Sequence, residues 1–423
     1  MLFRPSLSLL AVAALAVTAP ASAQSAAPEA VAAAALKAAL VWDGHNDVPD
    51  KLRDMRRNVL GTFDFRDTRA ERDPAGKTPP FQTDIARLRA GKVGAQFWSV
   101  YVSAALSEPQ AVQATLEQID VMKRVIARHP ADLAYCETAD CAARAMKEGR
   151  IASLLGIEGG HSIGTSLSVL RQMHALGVRY MTLTHTKNNA WADAGTDTPV
   201  HGGLTDLGRD VVREMNRLGM LVDLSHVSEA TMLDALETSQ APVIFSHSNA
   251  TAVNGHARNV PDSVLDRLKA NGGIVMVNFY PPFVSEARRQ WIGARAAEKA
   301  RLEALNLGNP KASEAGFEAW VKANPAPAGA ISDVADHLDH IKRRAGAAHV
   351  GLGADFDGIE VAVDGLGDVS TYPALFVELA RRGWTQAELE GLASRNMMRV
   401  MRAAEAYAAS RKGAAPIENP VGY

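Results

Sequence analysis

The sequence contains few cysteines and carries almost no net charge. Only two of its 423 residues are cysteines, Cys136 and Cys141, which argues against a zinc site built from thiolates. Their close spacing allows one local disulfide if the protein reaches an oxidising compartment. The net charge of -2 gives no reason to expect a nucleic-acid partner. A hydrophobic content of 47% with 6% aromatic residues is ordinary for a globular protein.

Long apolar runs are also scarce, and the clearest one lies at the N-terminus. Leu7–Thr18 is almost entirely apolar, follows Arg4, and precedes small residues at Ala21 and Ala23. This pattern predicts that residues 1–23 are a secretory signal peptide cleaved after Ala23. The alternative is a membrane anchor, but a spanning helix needs about 20 apolar residues and this run is shorter.

The mature protein is therefore expected to be periplasmic or secreted, with no stable membrane anchor after cleavage. Residues 24–39 are Ala-rich and are predicted to form a linker or an N-terminal helix. The main domain is predicted over residues 40–410, and residues 411–423 are predicted to form a C-terminal tail.

Eight short apolar runs alternate with helix-like segments along this domain. They are Leu40–Asp43, Val93–Val102, Ile151–Ile157, Val178–Thr184, Leu221–Ser225, Val243–Ser246, Gly273–Tyr280 and Val350–Ala354. Eight such units predict an α/β fold of the (β/α)₈ TIM-barrel type, in which catalytic residues lie at the C-terminal ends of the strands. Residues 281–330 break the rhythm and predict a helical insertion between strands seven and eight. It could be a lid, an oligomer contact or a surface hairpin.

Histidines and acids close several of these runs, and their convergence predicts a metal site. His45 and Asp47 follow the first run, Glu158 follows the third, and His226 and His247 close two consecutive runs. An unpaired Glu is rarely buried, so Glu158 needs a cation or a hydrogen-bond donor. A bridging metal ligand fits this position, and a salt bridge to an arginine is the alternative. Neutral imidazoles combined with carboxylates suit zinc best. We expect two zinc ions per subunit, with Glu158 as the bridging ligand.

Three further residues are candidates for catalysis or substrate binding. His185 closes the fourth run and is assigned to the oxyanion or the substrate carbonyl, although it could be a sixth metal ligand. Asp355 closes the last run and is assigned to proton transfer, with Asp357 as its rival. Arg258 could bind a substrate carboxylate or could hold its own loop. Together these residues predict hydrolysis by a hydroxide that bridges the two metals, with Glu158 also part of the catalytic machinery.

With these residues assembled, the sequence resembles the membrane (renal) dipeptidase family from about Leu40 to Asn396. The matching stretches are Asp43–Asp47, Gly94–Val100, Gly156–His161, Leu183–His185, Asp223–Ser228, Ser246–Ser248, Arg258–Asp262 and Gly353–Gly358. The resemblance implies a binuclear zinc dipeptidase that acts on dipeptides and tolerates a D-residue at the C-terminal position.

The resemblance also implies which residues form each part of the site. His45 and Asp47 would hold one zinc and His226 and His247 the other. The residues matching His185, Arg258 and Asp355 would contact substrate, with Arg258 on its terminal carboxylate. The lipid anchor and the disulfide-linked dimer of the mammalian members are not expected here, because the chain ends without an apolar tail and its cysteines lie elsewhere.

Other functions remain open on the sequence alone. The nearest is another amidohydrolase activity, on an N-acyl amino acid, a β-lactam or a lactone. A metal-free glycosidase would not account for His226 and His247. A non-catalytic exported binding protein would not need Glu158 and Asp355. A homodimer is expected only because homodimers are common.

Overall fold

The computed structural model describes residues 1–2 and 27–420. The predicted signal peptide and its cleavage point fall mainly on residues 3–26, outside the described residues. Within the predicted linker, a helix begins at Pro28 and ends at Ala38. Among the described residues, none of the helices combines the length and the apolar character needed to cross a bilayer.

Nine parallel strands form the centre of the molecule. They are β1 (Val41–Asn46), β2 (Val93–Tyr101), β3 (Leu133–Tyr135), β4 (Ile151–Glu158), β5 (Val178–Thr182), β6 (Leu221–Asp223), β7 (Ile244–Phe245), β8 (Ile274–Val277) and β9 (Val350–Leu352). The strand order is β2-β1-β9-β8-β7-β6-β5-β4, and pairing of β2 with β4 closes the ring. This closed eight-strand parallel barrel confirms the predicted (β/α)₈ fold.

The ninth strand, β3, lies outside the ring and was not predicted. It pairs with the first residues of β4, from Ile151 to Ser153, whereas β5 pairs with β4 only from Leu155 onward. The short strand therefore occupies the edge of β4 that β5 leaves free. Three residues are too few to give a clear apolar pattern in the sequence. The disulfide between Cys136 and Cys141 joins the end of β3 to the helix that follows it.

Helices surround the barrel. They are α1 (Pro28–Ala38), α2 (Val48–Arg56), α3 (Ile85–Ala90), α4 (Glu108–Arg128), α5 (Ala139–Lys147), α6 (Leu167–Ala175), α7 (Asp206–Leu218), α8 (Glu229–Thr238), α9 (Asp262–Asn271), α10 (Pro281–Val284), α11 (Glu286–Leu305), α12 (Pro310–Ala323), α13 (Ile331–Ala345), α14 (Tyr372–Arg381), α15 (Gln386–Glu390) and α16 (Asn396–Ser410). Short 3₁₀ or π turns cover Gly160–Ile163, Ala347–His349 and Gly391–Arg395.

Local sequence signals place several helix ends. Thr205 and Ser228 cap α7 and α8, each accepting a hydrogen bond from a backbone N–H in the first turn. Gly219 ends α7 with a φ of 76°, a left-handed conformation that glycine adopts without strain. In the predicted insertion, α10, α11 and α12 lie between β8 and β9, and α11 has no buried residue. Within the insertion, α11 and α12 pack against each other as an exposed helical hairpin, whereas α10 is largely buried.

Alternation along the strands sets which side chains face the barrel interior. In β4, Ala152 and Leu154 pack in the interior cluster, while Ile151, Leu155 and Ile157 pack against the surrounding helices. Continuing the period of two places Glu158 on the interior face at the C-terminal end of the strand. The same alternation explains why polar residues gather only there, since the lower interior is filled by apolar side chains such as Trp42, Phe97 and Met276.

Candidate metal centre

The predicted site residues converge at the C-terminal end of the barrel. Side chains at or just after the ends of all eight barrel strands line one cavity of about 260 Å³ there. Its lining comprises Asp47, Asp50, Tyr101, Glu158, His185, Thr186, His226, His247, Tyr280, Phe283, Asp355, Gly358, Ile359 and Glu360. His45 lies directly beneath this lining, with its Nε2 3.4 Å from Asp47 Oδ2. Arg258 is close by but is not among the lining residues.

Glu158 lies at the centre of the cluster, and each of its two carboxylate oxygens faces a different group of side chains. Its Oε2 is 3.5 Å from His45 Nε2. Its Oε1 is 2.8 Å from His226 Nε2 and 3.3 Å from His247 Nε2. Burial alone would raise the pKa of Glu158, but the imidazoles around it outweigh burial and hold that pKa well below its usual range. The carboxylate is therefore ionised between two groups of potential ligands.

The His45 and Asp47 pair leaves buried polar atoms without partners. His45 Nε2 and both Asp47 carboxylate oxygens are buried and form no hydrogen bond with any other described residue. Buried polar atoms are nearly always satisfied, so three orphaned atoms within one cluster require an explanation. Gly358 keeps the space beside them open, because a Cβ there would lie 2.2 Å from Asp47 Oδ2. Imidazole and carboxylate atoms facing a free space are suitable ligands for a divalent cation.

His226 and His247 form the other group of potential ligands. Their Nε2 atoms are 2.9 Å apart, and both are aimed at Glu158 Oε1. Burial, together with the nearby Arg258 guanidinium, lowers the pKa of both imidazoles well below the usual value. The neutral ring is the form of histidine that coordinates metals. These residues and Glu158 are therefore suitable ligands for a second cation. The two three-residue clusters that include Glu158 combine it with His45 and His247 and with His185 and His226.

Hydrogen bonds from outside the cluster orient two of these rings. The Ser246 hydroxyl lies 2.8 Å from His247 Nδ1 and donates to Asp223 Oδ2 at 2.6 Å. Tyr180 places its hydroxyl 2.9 Å from His45 Nδ1. In both rings Nδ1 is occupied, which leaves Nε2 to face Glu158.

Backbone strain is concentrated at the same strand ends. Positive φ values occur at His226 (70°), Asp355 (68°) and Asp357 (69°). These values lie in the left-handed region, which residues other than glycine rarely adopt. Such conformations persist where the surrounding structure imposes them, and they cluster at functional sites. Here they turn the His226 and Asp355 side chains toward the cavity.

His185 and Asp355 flank Glu158 on opposite sides. His185 Nε2 is 3.8 Å from Glu158 Oε1, and its ring packs against Tyr101 with centroids 4.7 Å apart. Asp355 Oδ1 is 3.9 Å from His45 Nε2, and Asp355 Oδ2 accepts a hydrogen bond from Asn278 Nδ2 at 2.7 Å. Burial raises the pKa of Asp355 well above its usual value; the charges of Asp47 and Glu158 add to this, although His45 opposes it.

Asp357, the rival to Asp355, faces away from the cavity. Its Oδ1 accepts a hydrogen bond from the Gln82 backbone N–H at 2.8 Å, and its own N–H donates to Gln82 Oε1 at 2.7 Å. These bonds attach the loop after β9 to the loop before α3. Asp357 therefore has a structural position, which favours Asp355 as the residue at the reaction site.

Arg258 is buried behind His247, with 2% of its surface exposed. Its Nη1 donates to Ser248 Oγ and its Nη2 to the His247 carbonyl, each at 3.0 Å. These bonds agree with the second role predicted from the sequence, in which Arg258 holds its own loop. Nε has no partner, and Arg258 forms no ion pair with a carboxylate among the described residues. Burial lowers the pKa of Arg258 to about 10, so it remains a cation at neutral pH.

Sequence reasoning missed several residues of the site. Asp50, Tyr101 and Glu360 line the cavity but belong to no recognisable short motif. Tyr180 and Asn278 orient His45 and Asp355 from positions inside apolar runs, where they read as core residues. The one sequence signal for Asp50 is its position in the first helical turn, three residues after the predicted metal ligand Asp47.

Comparison with known proteins identifies the family of this barrel. The family model described as membrane dipeptidase, peptidase family M19, matches residues 29–414. The relative "Dipeptidase tcpJ" of Claviceps purpurea is 41% identical over 387 residues, which cover 89% of this chain and 79% of that protein.

Solved structures share the fold at lower identity. The probable dipeptidase PvdM from Pseudomonas aeruginosa matches with a TM-score of 0.75 and 23% identity, covering 90% of this chain and 99% of that one. A metallopeptidase from Rhodobacter sphaeroides, liganded with a phosphinate mimic of L-Ala-D-Ala, matches with a TM-score of 0.68 and 23% identity, covering 86% and 99%. Because the family model spans nearly the whole barrel and a named dipeptidase is 41% identical to it, this chain belongs to the membrane dipeptidase family and is a metallo-dipeptidase.

Proposed function

We propose that the protein is an exported dipeptidase that uses two zinc ions, one on each side of Glu158. The observation that carries this proposal is the position of Glu158, whose two oxygens face separate groups of potential ligands. His45 and Asp47 would hold one ion and His226 and His247 the other, with Glu158 shared between them. The mixture of imidazole and carboxylate ligands suits zinc, although other first-row metals accept the same set.

A pair of ions held by these residues would supply Lewis-acid chemistry, activating a water and polarising the carbonyl of the peptide bond. The protein residues supply the remaining steps. Asp355, fixed by Asn278, takes the proton of the attacking water and delivers it to the nitrogen of the departing amine. His185 lies beside Glu158 and donates a hydrogen bond to the oxygen on which negative charge develops.

Arg258 is proposed to hold the C-terminal carboxylate of the dipeptide. The support is its buried charge, which has no carboxylate partner in the described structure, and its unpartnered Nε. A buried cation without a counter-ion is costly, and a substrate carboxylate would remove that cost. To make this contact, Arg258 must keep or exchange the two hydrogen bonds that now hold its loop.

Tolerance of a D-residue at the C-terminal position is also proposed. The supporting observation is that the structurally similar metallopeptidase from Rhodobacter sphaeroides is liganded with a phosphinate mimic of L-Ala-D-Ala. Export rests on the N-terminal signal-like segment, and the disulfide between Cys136 and Cys141 supports it, since disulfides persist mainly in oxidising compartments.

The experiment that tests the proposal is hydrolysis of L-Ala-L-Ala and L-Ala-D-Ala by the purified mature protein. Each rate is measured as isolated, after chelation, and after zinc is restored, with metal content determined at each stage. Cleavage that is lost on chelation and returns with about two equivalents of zinc supports the proposal. A folded, zinc-loaded protein that cleaves neither dipeptide would contradict it, and N-acyl amino acids and β-lactams would then be the next substrates to assay.

A further inference from the structure

Asp50 is a cavity-lining carboxylate that the proposed mechanism does not use. It lies in the first turn of α2, one residue beyond Pro49 and three beyond Asp47. Among the described residues it forms no hydrogen bond and no ion pair, although the neighbouring side chains of α2 do. A carboxylate that faces a catalytic cavity without a partner is available to a ligand.

The cationic side chains nearest to Asp50 along α2 have other partners. Arg53 pairs with Glu117, with Nη2 and Oε2 3.7 Å apart. Lys51 is buried, and its strongest charge interaction is with Asp357 rather than Asp50. No lysine or arginine lines the cavity within the described part of the chain. The protein therefore supplies no counter-ion for Asp50 from these positions.

The charges around the cavity are also arranged asymmetrically. Asp50 follows β1 and Glu360 follows β9, and these two strands are neighbours in the barrel. Arg258 follows β7, which lies two strands from β9 and three strands from β1 around the ring. A dipeptide carries a carboxylate at one end and an ammonium group at the other. If Arg258 binds the carboxylate, as proposed above, the ammonium end points toward the side that carries Asp50.

We propose that Asp50 is a specificity-determining residue that accepts an ammonium group on the N-terminal residue of the substrate. This inference rests on the proposed function, which sets the direction of the dipeptide in the cavity. The ammonium group is either the α-ammonium or that of a basic side chain, since both offer the same charge-assisted hydrogen bond. Burial and the charges of Asp54 and Asp47 raise the pKa of Asp50 to about 8, so an adjacent cation would stabilise its ionised form.

The test compares substrate preferences of the zinc-loaded wild type and Asp50→Asn. The first pair of substrates is L-Ala-L-Ala and its analogue with a hydroxyl in place of the α-ammonium. The second pair is L-Lys-L-Ala and L-norleucyl-L-Ala, which differ in the charge of the side chain. Loss of a charge-assisted hydrogen bond in the complex predicts that Asp50→Asn reduces one kcat/KM ratio by about 10- to 100-fold.

The two pairs distinguish the source of the ammonium group. A fall in the first ratio assigns Asp50 to the α-ammonium, and a fall in the second assigns it to a basic side chain. If both ratios stay within about 2-fold of the wild type, the inference is wrong. It is also wrong if Asp50→Asn binds less zinc than the wild type, because Asp50 would then act on the metal centre.

Asp54→Asn is the matched control, since Asp54 is on the same helix, carries the same charge, and is exposed outside the cavity. It is expected to keep both ratios of the wild type. Thermal unfolding checks each variant, and Asp50→Ser replaces Asp50→Asn if the latter does not fold. A wild-type protein that cleaves none of the four substrates would instead overturn the proposed function, and the inference with it.

Discussion

The two sides of Glu158 differ in both chemistry and support. On the side formed by β1 and β9, which we call the carboxylate side, His45 is accompanied by Asp47 and Asp355. On the side formed by β5, β6 and β7, the imidazole side, the potential ligands are histidines alone. The Glu158 carboxylate contributes one oxygen to each side.

The two sides differ in how many of their potential ligands already contact other groups of the protein. On the imidazole side, His226 and His247 already contact Glu158 Oε1, and Ser246 connects His247 to Asp223. On the carboxylate side, the Asp47 oxygens have no hydrogen-bond partner in the described part of the chain. Two carboxylates facing one histidine repel each other unless a cation lies between them. The carboxylate side should therefore depend more strongly on its metal than the imidazole side does.

Glu158→Gln removes the one group common to both sides, so we expect it to have the largest effect. An amide offers one neutral oxygen and cannot share charge between two cations. We expect zinc content to fall on both sides and kcat/KM for L-Ala-L-Ala to fall by roughly 10³-fold or more. Metal analysis and steady-state kinetics measure this. Retention of two zinc ions with near-normal activity would show that Glu158 is not the shared ligand.

Asp355→Asn tests the proton-transfer role on the carboxylate side. The substituted amide keeps the volume and can still meet Asn278, but it cannot accept a proton. We expect kcat to fall by about 10²- to 10³-fold, with zinc content near that of the wild type. Asp357→Asn is the matched control, because the side chain of Asp357 binds Gln82 outside the cavity. A larger loss of kcat in Asp357→Asn would reverse the two assignments.

The sequence predicted the barrel and the convergence of these residues well, because both follow from local patterns. Apolar runs locate the strands, and a polar residue that closes such a run must lie at the rim of a parallel barrel. The parts that were missed depend on packing between distant segments. Tyr180 reaches His45 because Gly156, on the neighbouring strand, leaves room for its ring; a Cβ on Gly156 would lie 2.1 Å from it.

Two other features illustrate the same limit. β3 exists because β5 leaves one edge of β4 unpaired, and strand register cannot be read from three residues. Asp355 and Asp357 share nearly the same positive φ, yet the first lines the cavity and the second binds Gln82. Two aspartates separated by one residue look equivalent in the sequence, and only the turn between them distinguishes their roles.

Substitution of one ligand on each side compares the two sides directly. We expect Asp47→Asn and His226→Asn each to lower zinc content from about two equivalents to about one, because each leaves the opposite ligands in place. Without zinc, Asp47→Asn also removes one of the two carboxylates that repel each other beside His45. Its unfolding temperature without zinc should therefore rise relative to the wild type, whereas that of His226→Asn should not. Equal thermal shifts would contradict the proposed difference.

The smallest expected effects come from removing one hydroxyl on each side, at His247 on the imidazole side and at His45 on the carboxylate side. Ser246→Ala removes the link from Asp223 to His247, and Tyr180→Phe removes the hydroxyl beside His45. Groups that orient a metal ligand typically contribute about 10- to 100-fold in metal affinity, so each variant should weaken one of two zinc-binding steps. Zinc titration against a competing chelator separates the steps. On the imidazole side only the His247 ring is held through Nδ1 among the described residues, since His226 Nδ1 has no hydrogen-bond partner there. We therefore expect Ser246→Ala to weaken zinc binding more than Tyr180→Phe, and the opposite order would show that the carboxylate side is the better positioned one.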